Sequence, residues 1–188
     1  MTTATKTGMS TWTIDPAHTI AEFAVRHMVL TTVKGRFREL EATLQIDEAH
    51  PENSSVSASV DVASIDTSVA DRDAHLRSDD FFNAEKYPRI TFRSRRVEVG
   101  DDSHFRLVGD LTIRDVTREV ALDGEYEGQI DDPWGNRRAA FTATTQISRK
   151  EFGVRWNQLI ESGGAVVSDN VKITLHVEVI RSKESKES

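Results

Sequence analysis

Apolar and polar residues alternate with a period of two along most of the chain, which sets successive side chains on opposite faces of extended strands. Ala21, Phe23, Val25 and His27 share one face against Glu22 and Arg26, and Val56, Ala58, Val60 and Val62 oppose Ser57, Ser59 and Asp61. Phe105, Leu107, Gly109, Leu111 and Ile113 form a row against Arg106, Asp110 and Arg114. Val116, Val120, Leu122, Tyr126 and Ile130 follow at even positions, then Ala139, Phe141, Ala143, Thr145 and Ile147. Val171, Ile173, Leu175, Val177 and Val179 complete the series against Lys172, Thr174, His176 and Glu178. Between Arg89 and Val99 the parity changes, from Ile90 and Phe92 to Val97 and Val99, which predicts a bulge near Arg95 and Arg96. Turn residues at 101–103 and 131–136 predict hairpins.

Strands with one apolar and one charged face bury the apolar face either in a two-sheet sandwich or in a sheet closed on itself. Long strands joined by sequential hairpins favour closure. The expected fold is all-β: an extended antiparallel up-and-down β-barrel of about eight strands. A barrel of that size holds one small ligand, and inward rows of Phe, Val, Leu and Ile suit a hydrocarbon rather than a sugar or nucleotide.

Two segments break the alternation. In Ser68 to Ala84, the run Asp71–Leu76 predicts a short helix with Ser68 as N-cap. In Arg149 to Asn170, Phe152, Trp156 and Ile160 recur every four residues and read as one helical stripe ended by Gly163-Gly164, a plug or lid for the barrel. Met28-Val29-Leu30 is apolar where a turn should be polar, which reads as part of a portal or as a contact with a neighbouring loop or a dimer partner.

Composition narrows the chemistry. The 188 residues suit one domain. The expected limits are a disordered segment at 1–10, a single barrel domain at 11–180 and a solvated tail at 181–188. Lys plus Arg number 24 against 31 Asp plus Glu, and the net charge of −7 argues against nucleic acid or an anionic membrane as a partner. The absence of cysteine excludes disulfides, thiolate zinc sites and cysteine nucleophiles. Val, Ile and Thr total 47 against 9 Leu, a strand-forming bias. No apolar run is long enough to span a bilayer, and Met1 to Ser10 lacks the apolar core of a secretory signal, so a cytoplasmic location is expected.

No Gly-x-Ser-x-Gly elbow, phosphate loop or dinucleotide fingerprint occurs, so no catalytic residue and no cofactor is expected. Asp71, Asp73 and His75 resemble a metal set, but i and i+2 diverge on a helix, so helix capping accounts for them and no metal is expected. Arg72 and Asp73 form a candidate buried pair. His27 ends an apolar inward row near a barrel mouth, where it would contact a ligand head group or a loop backbone. The expected ligand contacts are Phe23, Val25, His27, Phe37, Phe81, Phe82, Phe92, Leu111, Ile113, Phe141, Phe152 and Trp156.

Seven blocks occur in order: Asp15-Pro16-Ala17-His18-Thr19 with Phe23, Val25 and His27; VKGRF at 33–37; SIDT and DRDAHLRS within 64–78; DFFNAEKYPRITFRS at 80–94; GDLTIRDVTREVAL at 109–122; SRKEFGVRWN at 148–157; and VSDNVKITLHVEV at 167–179. Together they closely resemble the YceI-like family of polyisoprenoid-binding proteins over residues 11–180. The resemblance implies a lipocalin-like barrel and non-catalytic binding, transport or storage of an isoprenoid lipid, whether a polyprenyl chain, an isoprenoid quinone or a similar amphiphile. Where such proteins usually carry Gly after the LTIR block, this chain has Asp115, a residue that tolerates positive φ. Two other readings stand beside it: a lipid-modifying enzyme using His27 with Glu22 or Asp73, and an interaction barrel without ligand that dimerises. At ~0.8 kcal/mol per buried CH₂, one isoprene unit contributes roughly 3 to 4 kcal/mol before binding costs.

Overall fold

The computed structural model describes residues 8–161 and 163–183. Its strands are β1 (Met9–Ile14), β2 (Ile20–His27), β3 (Thr31–Phe37), β4 (Leu40–Asp47), β5 (Ser55–Asp61), β6 (Ile65–Asp66), β7 (Arg89–Val99), β8 (His104–Ile113), β9 (Val116–Asp131), β10 (Arg137–Ser148) and β11 (Val167–Arg181), with helix α1 at Ala70–Arg77. Met9 and Ser10 belong to β1 and not to a disordered end, and Arg181 still pairs within β11. The expectations for residues 1–7 and 184–188 lie outside the described residues.

All pairings are antiparallel, and β1 closes the sheet by pairing with both β4 and β11. The eleven strands make eight staves. β1 with β2, β3 with β4, and β5 with β6 are each one stave broken by a kink, and the staves then follow one another in chain order. The barrel is therefore an up-and-down meander, as the alternation predicts. The kink in the first stave is Asp15–Thr19, and it lets β11 pair with β2 along Val167–His176 and with β1 along Val179–Arg181.

That seam is tied by a polar cluster on the outer face. The Asp15 N–H donates to the Glu178 carbonyl (2.8 Å), and the Thr19 hydroxyl bonds both the Glu178 carbonyl and its N–H (3.2 Å each). The Arg138 guanidinium donates to Asp15 (2.7 Å), Asp132 (2.7 Å) and Glu178 (2.6 Å), and His18 bonds Asp15 at 3.0 Å. The His18 and Arg138 hydrogen bonds hold the Asp15 carboxyl at about 2, Arg138 holds Asp132 well below the usual carboxylate range, and Asp15 in turn raises His18.

Between β6 and β7 no strand pairing completes the wall, and residues 68–88, including α1, cover that stretch. Ser68 is not the N-cap: it sits at φ 65° one residue early, and Val69 holds the cap position without a side-chain bond. Buried Asp73 instead ties the helix to the chain that leads into it: its Oδ1 accepts from the Thr67 N–H (2.9 Å) and hydroxyl (2.6 Å). Arg72 reaches the same residue, donating to the Thr67 hydroxyl and carbonyl, so Arg72 and Asp73 are joined through Thr67 and not as a direct ion pair.

The segment from Arg149 is not a helix beyond a single 3₁₀ turn at Arg149–Phe152. Gly153 takes the left-handed conformation (φ 80°) and ends it. The chain then runs irregularly to a bridge between Leu159 and Ala165. The four-residue spacing of Phe152, Trp156 and Ile160 is thus not a helical stripe. Arg149 holds the segment: the residue is 6% exposed, and its guanidinium donates to the carbonyls of Val154, Trp156, Val167 and Ser168 at 2.8–3.2 Å. In the β8–β9 turn the left-handed residue is Arg114 (φ 56°), one position before Asp115.

The bulge in β7 is present, as a register shift between Ser94 and Arg96. It presses the β7 backbone onto Gly109, where a Cβ would lie 2.4 Å from the Arg93 carbonyl oxygen and 2.7 Å from Ser94 Cα. A second irregularity falls in β9 opposite Ala140/Phe141. It reverses the face of the residues after Tyr126, so Ile130 is 65% exposed and does not continue the inward row.

Two tests follow from these contacts. Gly109→Ala is expected to cost about 1–3 kcal/mol in chemical denaturation, because the clash is with backbone and not with a movable side-chain tip; a neutral result contradicts the close approach. Arg138→Gln is expected to lower thermal stability above about pH 4. The stability that Asp15 gains from its depressed pKa is present above the unfolded value of about 3.9 and lost as pH falls through about 2, so the gap to wild type should shrink over that window. A gap independent of pH contradicts this account of the seam.

Candidate functional site

The inward rows enclose a cavity of about 640 Å³ running along the barrel axis, within the roughly 300–1,000 Å³ typical of ligand pockets. Its body is aliphatic and aromatic. β8 contributes Leu107, Leu111 and Ile113, β10 contributes Phe141, Ala143 and Ile147, and β11 contributes Val171, Ile173, Leu175 and Val177.

The barrel is hollow partly because its aromatic rings lie along the wall. Phe105 lies over its cross-strand partner Gly124, where a Cβ would stand 2.3 Å from the ring, and Phe23 lies in the same way over Gly35. Residues with side chains at these glycines would drive the rings toward the axis.

The two ends differ. At one end the lining residues Glu48, Pro51, Val99, Asp102, His104, Tyr126 and Gln129 are exposed, which marks an open mouth among the β4–β5 and β7–β8 turns and the outer part of β9. Burial, and after it the Glu48 carboxylate, push the Tyr126 phenol up. At the other end Phe81, Ile113, Arg149 and Val154 line the cavity and are buried, forming a floor. Phe81, Leu111, Ile113, Ile147, Phe152 and Val154 pack there as one cluster, with Leu76 and Phe82 against it.

Of the twelve residues expected to contact a ligand, Phe23, Val25, Phe37, Phe81, Phe82, Phe92, Leu111, Ile113 and Phe141 line this cavity. His27, Phe152 and Trp156 do not. His27 is the last residue of β2, past Val25, which is the final β2 residue in the wall. Phe152 is 1% exposed inside the floor cluster, one layer below the cavity. Trp156 packs outside that layer, its ring 4.7 Å from His75 and 5.2 Å from Phe81. His75 itself bonds Asp80 at 2.8 Å, away from Asp71 and Asp73. The mouth residues Glu48, Asp102, Tyr126 and Gln129 were not among the expected contacts. Tyr126 is on the inward row in sequence, but Gln129 comes inward only because of the β9 irregularity.

Met28-Val29-Leu30 lies at the closed end and outside the lining, with Val29 72% and Leu30 80% exposed. Among the described residues, the set whose ligand atoms approach one another closely enough for a metal is Asp15, His18 and Glu178. The Arg138 guanidinium already bonds both of those carboxylates, which makes the cluster an ion-pair network without need of a further cation. No helix among the described residues is long and apolar enough to cross a membrane.

Residues 12–179 match the YceI-like domain. The protein YceI of Escherichia coli O17:K52:H18 is 37% identical over 167 residues, covering 88% of this chain and 83% of that protein. Among solved structures, the YceI protein of Campylobacter jejuni superposes with a TM-score of 0.72 at 29% identity, over 84% of this chain and 90% of that one. A polyisoprenoid binding domain from Saccharophagus degradans, implicated in plant cell wall breakdown, has the same fold with a TM-score of 0.66 at 15% identity, over 91% and 98% of the two chains. The ordered blocks, the eight-stave closed barrel and these matches lead to one conclusion: the chain belongs to the YceI-like family.

Proposed function

We propose that the protein is a non-catalytic carrier or store for a long-chain isoprenoid lipid, a polyprenyl chain or an isoprenoid quinone, held inside the barrel. The observation that carries this reading is the apolar cavity of about 640 Å³, open at one end and closed at the other by buried Phe81, Ile113 and Val154. An unfilled apolar wall lacks contact partners on its inner side, and a hydrocarbon chain supplies them. At ~0.8 kcal/mol per CH₂, the burial of about four isoprene units, roughly 12 to 16 kcal/mol before association costs, suffices for micromolar binding. The name of the Saccharophagus degradans domain, which describes polyisoprenoid binding, supports the same class of ligand by fold likeness.

The structure does not bring the residues of the enzyme reading together: His27 is outside the cavity lining, the Asp73 carboxylate is bonded to Thr67, and Glu22, which borders the cavity, is paired with Lys34 at 3.4 Å.

Ala58 faces the lumen from β5, whereas Ser57 beside it points outward and is exposed. Ala58→Trp is expected to displace the space of two to three methylenes and weaken binding of a fluorescent apolar probe by ~30-fold. Ser57→Trp should leave it within about twofold, at similar thermal stability. Equal probe binding by both variants, or none by the wild type, overturns the carrier reading.

A further inference from the structure

The charge at the two ends of the cavity bears on which head group a bound chain can carry. Lys and Arg are missing from the lining except for Arg149, which is at the floor. Its guanidinium is spent on four backbone carbonyls, and its neighbours there, Phe81, Ile113 and Val154, are apolar. The floor therefore takes the hydrocarbon end of a ligand. The mouth carries three carboxylates in its lining, those of Asp47, Glu48 and Asp102. Asp47 is committed to its own turn, accepting from the Ala49 and His50 N–H groups and the Asn53 amide. Glu48 and Asp102 are exposed, and neither is in an ion pair among the described residues. The Arg137 guanidinium, which acts on Tyr126, is paired with Asp131 at 3.3 Å and is not part of the lining. The mouth lining also carries hydrogen-bonding groups: the Tyr126 phenol, the Gln129 amide, the Ser103 hydroxyl and the His104 ring.

We propose that the mouth selects by head-group charge: the cavity admits an amphiphile tail first and accepts an uncharged hydroxyl, amide or quinone carbonyl at Tyr126 and Gln129, while Glu48 and Asp102 turn away phosphate and carboxylate heads. This rests on the lipid-binding reading above and adds the class of head group. It sets a long-chain alcohol or quinone apart from a polyprenyl phosphate, although the two present the same hydrocarbon to the wall. A half-solvated mouth screens the carboxylates only in part, so the discrimination is modest and falls with ionic strength.

The test is isothermal titration calorimetry of the full chain with dodecanol, dodecanamide and dodecanoate, which share a tail and differ in the head. The alcohol and amide are expected to bind alike and the carboxylate ~tenfold more weakly at low salt. Raising the salt, or the double substitution Glu48→Gln with Asp102→Asn, should close most of that gap by strengthening dodecanoate. Equal or tighter binding of dodecanoate by the wild type overturns the proposal while leaving lipid binding intact, as does a gap that neither salt nor the double variant changes. Binding of none of the three overturns the lipid-binding reading, and this proposal with it.

Discussion

Closure of the sheet is the constraint on which everything else depends. An open eight-stave sheet would leave two unpaired edges and expose its apolar face, whereas pairing the last stave with the first removes the edges and makes that face an interior. In this chain closure is achieved by one strand that serves two partners. β11 pairs with β2 along its first part and with β1 along its last, and the Asp15–Thr19 kink allows the change. The Arg138 network fixes that kink from outside, so a block of polar residues with no place in the cavity is still a condition of having one. Its ion pairs are only partly buried, and their main effect is to set geometry at the seam.

A closed eight-strand barrel can be either packed solid or hollow, and the side-chain rows alone do not decide between them. Local pairings decide it here. Glycines opposite Phe23 and Phe105 let those rings lie along the wall. The Ser94–Arg96 bulge bends β7 over Gly109 and re-aims Val97 and Val99 inward. The floor is closed by Phe152, Val154 and Phe81, supplied by segments outside the regular staves, while a second buried cluster of Trp12, Leu44, Ala139 and Val179 packs on β1, β4, β10 and β11. The result is a tube plugged at one end, and the binding reading follows from that asymmetry more than from the apolar composition.

How far the sequence revealed this varies with the physics behind each feature. Period-two rows are a direct consequence of strand geometry, so the strands, the β7 bulge and most of the wall were legible from residues such as Phe92, Leu111 and Phe141. Irregular segments were not. Phe152, Trp156 and Ile160 have helical spacing, but the structure-forming interaction there is a buried Arg149 bonded to four carbonyls, which no periodicity reports. Ser68 looks like a cap from its type, whereas the helix start carries no side-chain cap and is held by Asp73 folding back onto Thr67. The misplacement of His27 and Ile130 has one origin: each lies past a register shift in its ladder, between Val167 and Val171 of β11 beside His27 and opposite Ala140/Phe141 for Ile130. The mouth was missed because turn residues such as Glu48 and Asp102 belong to no row.

The central claim is that this barrel holds a hydrocarbon chain in an apolar lumen entered from the mouth bounded by Glu48, Asp102 and Tyr126. Native mass spectrometry of the purified full chain, before and after organic extraction and after incubation with an isoprenoid quinone, tests it most directly. The account predicts a single adduct of the quinone's mass, at one per chain, that survives gentle ionisation and is removed by extraction. A protein that shows no adduct under any of these conditions, or binds many copies without saturation, contradicts it.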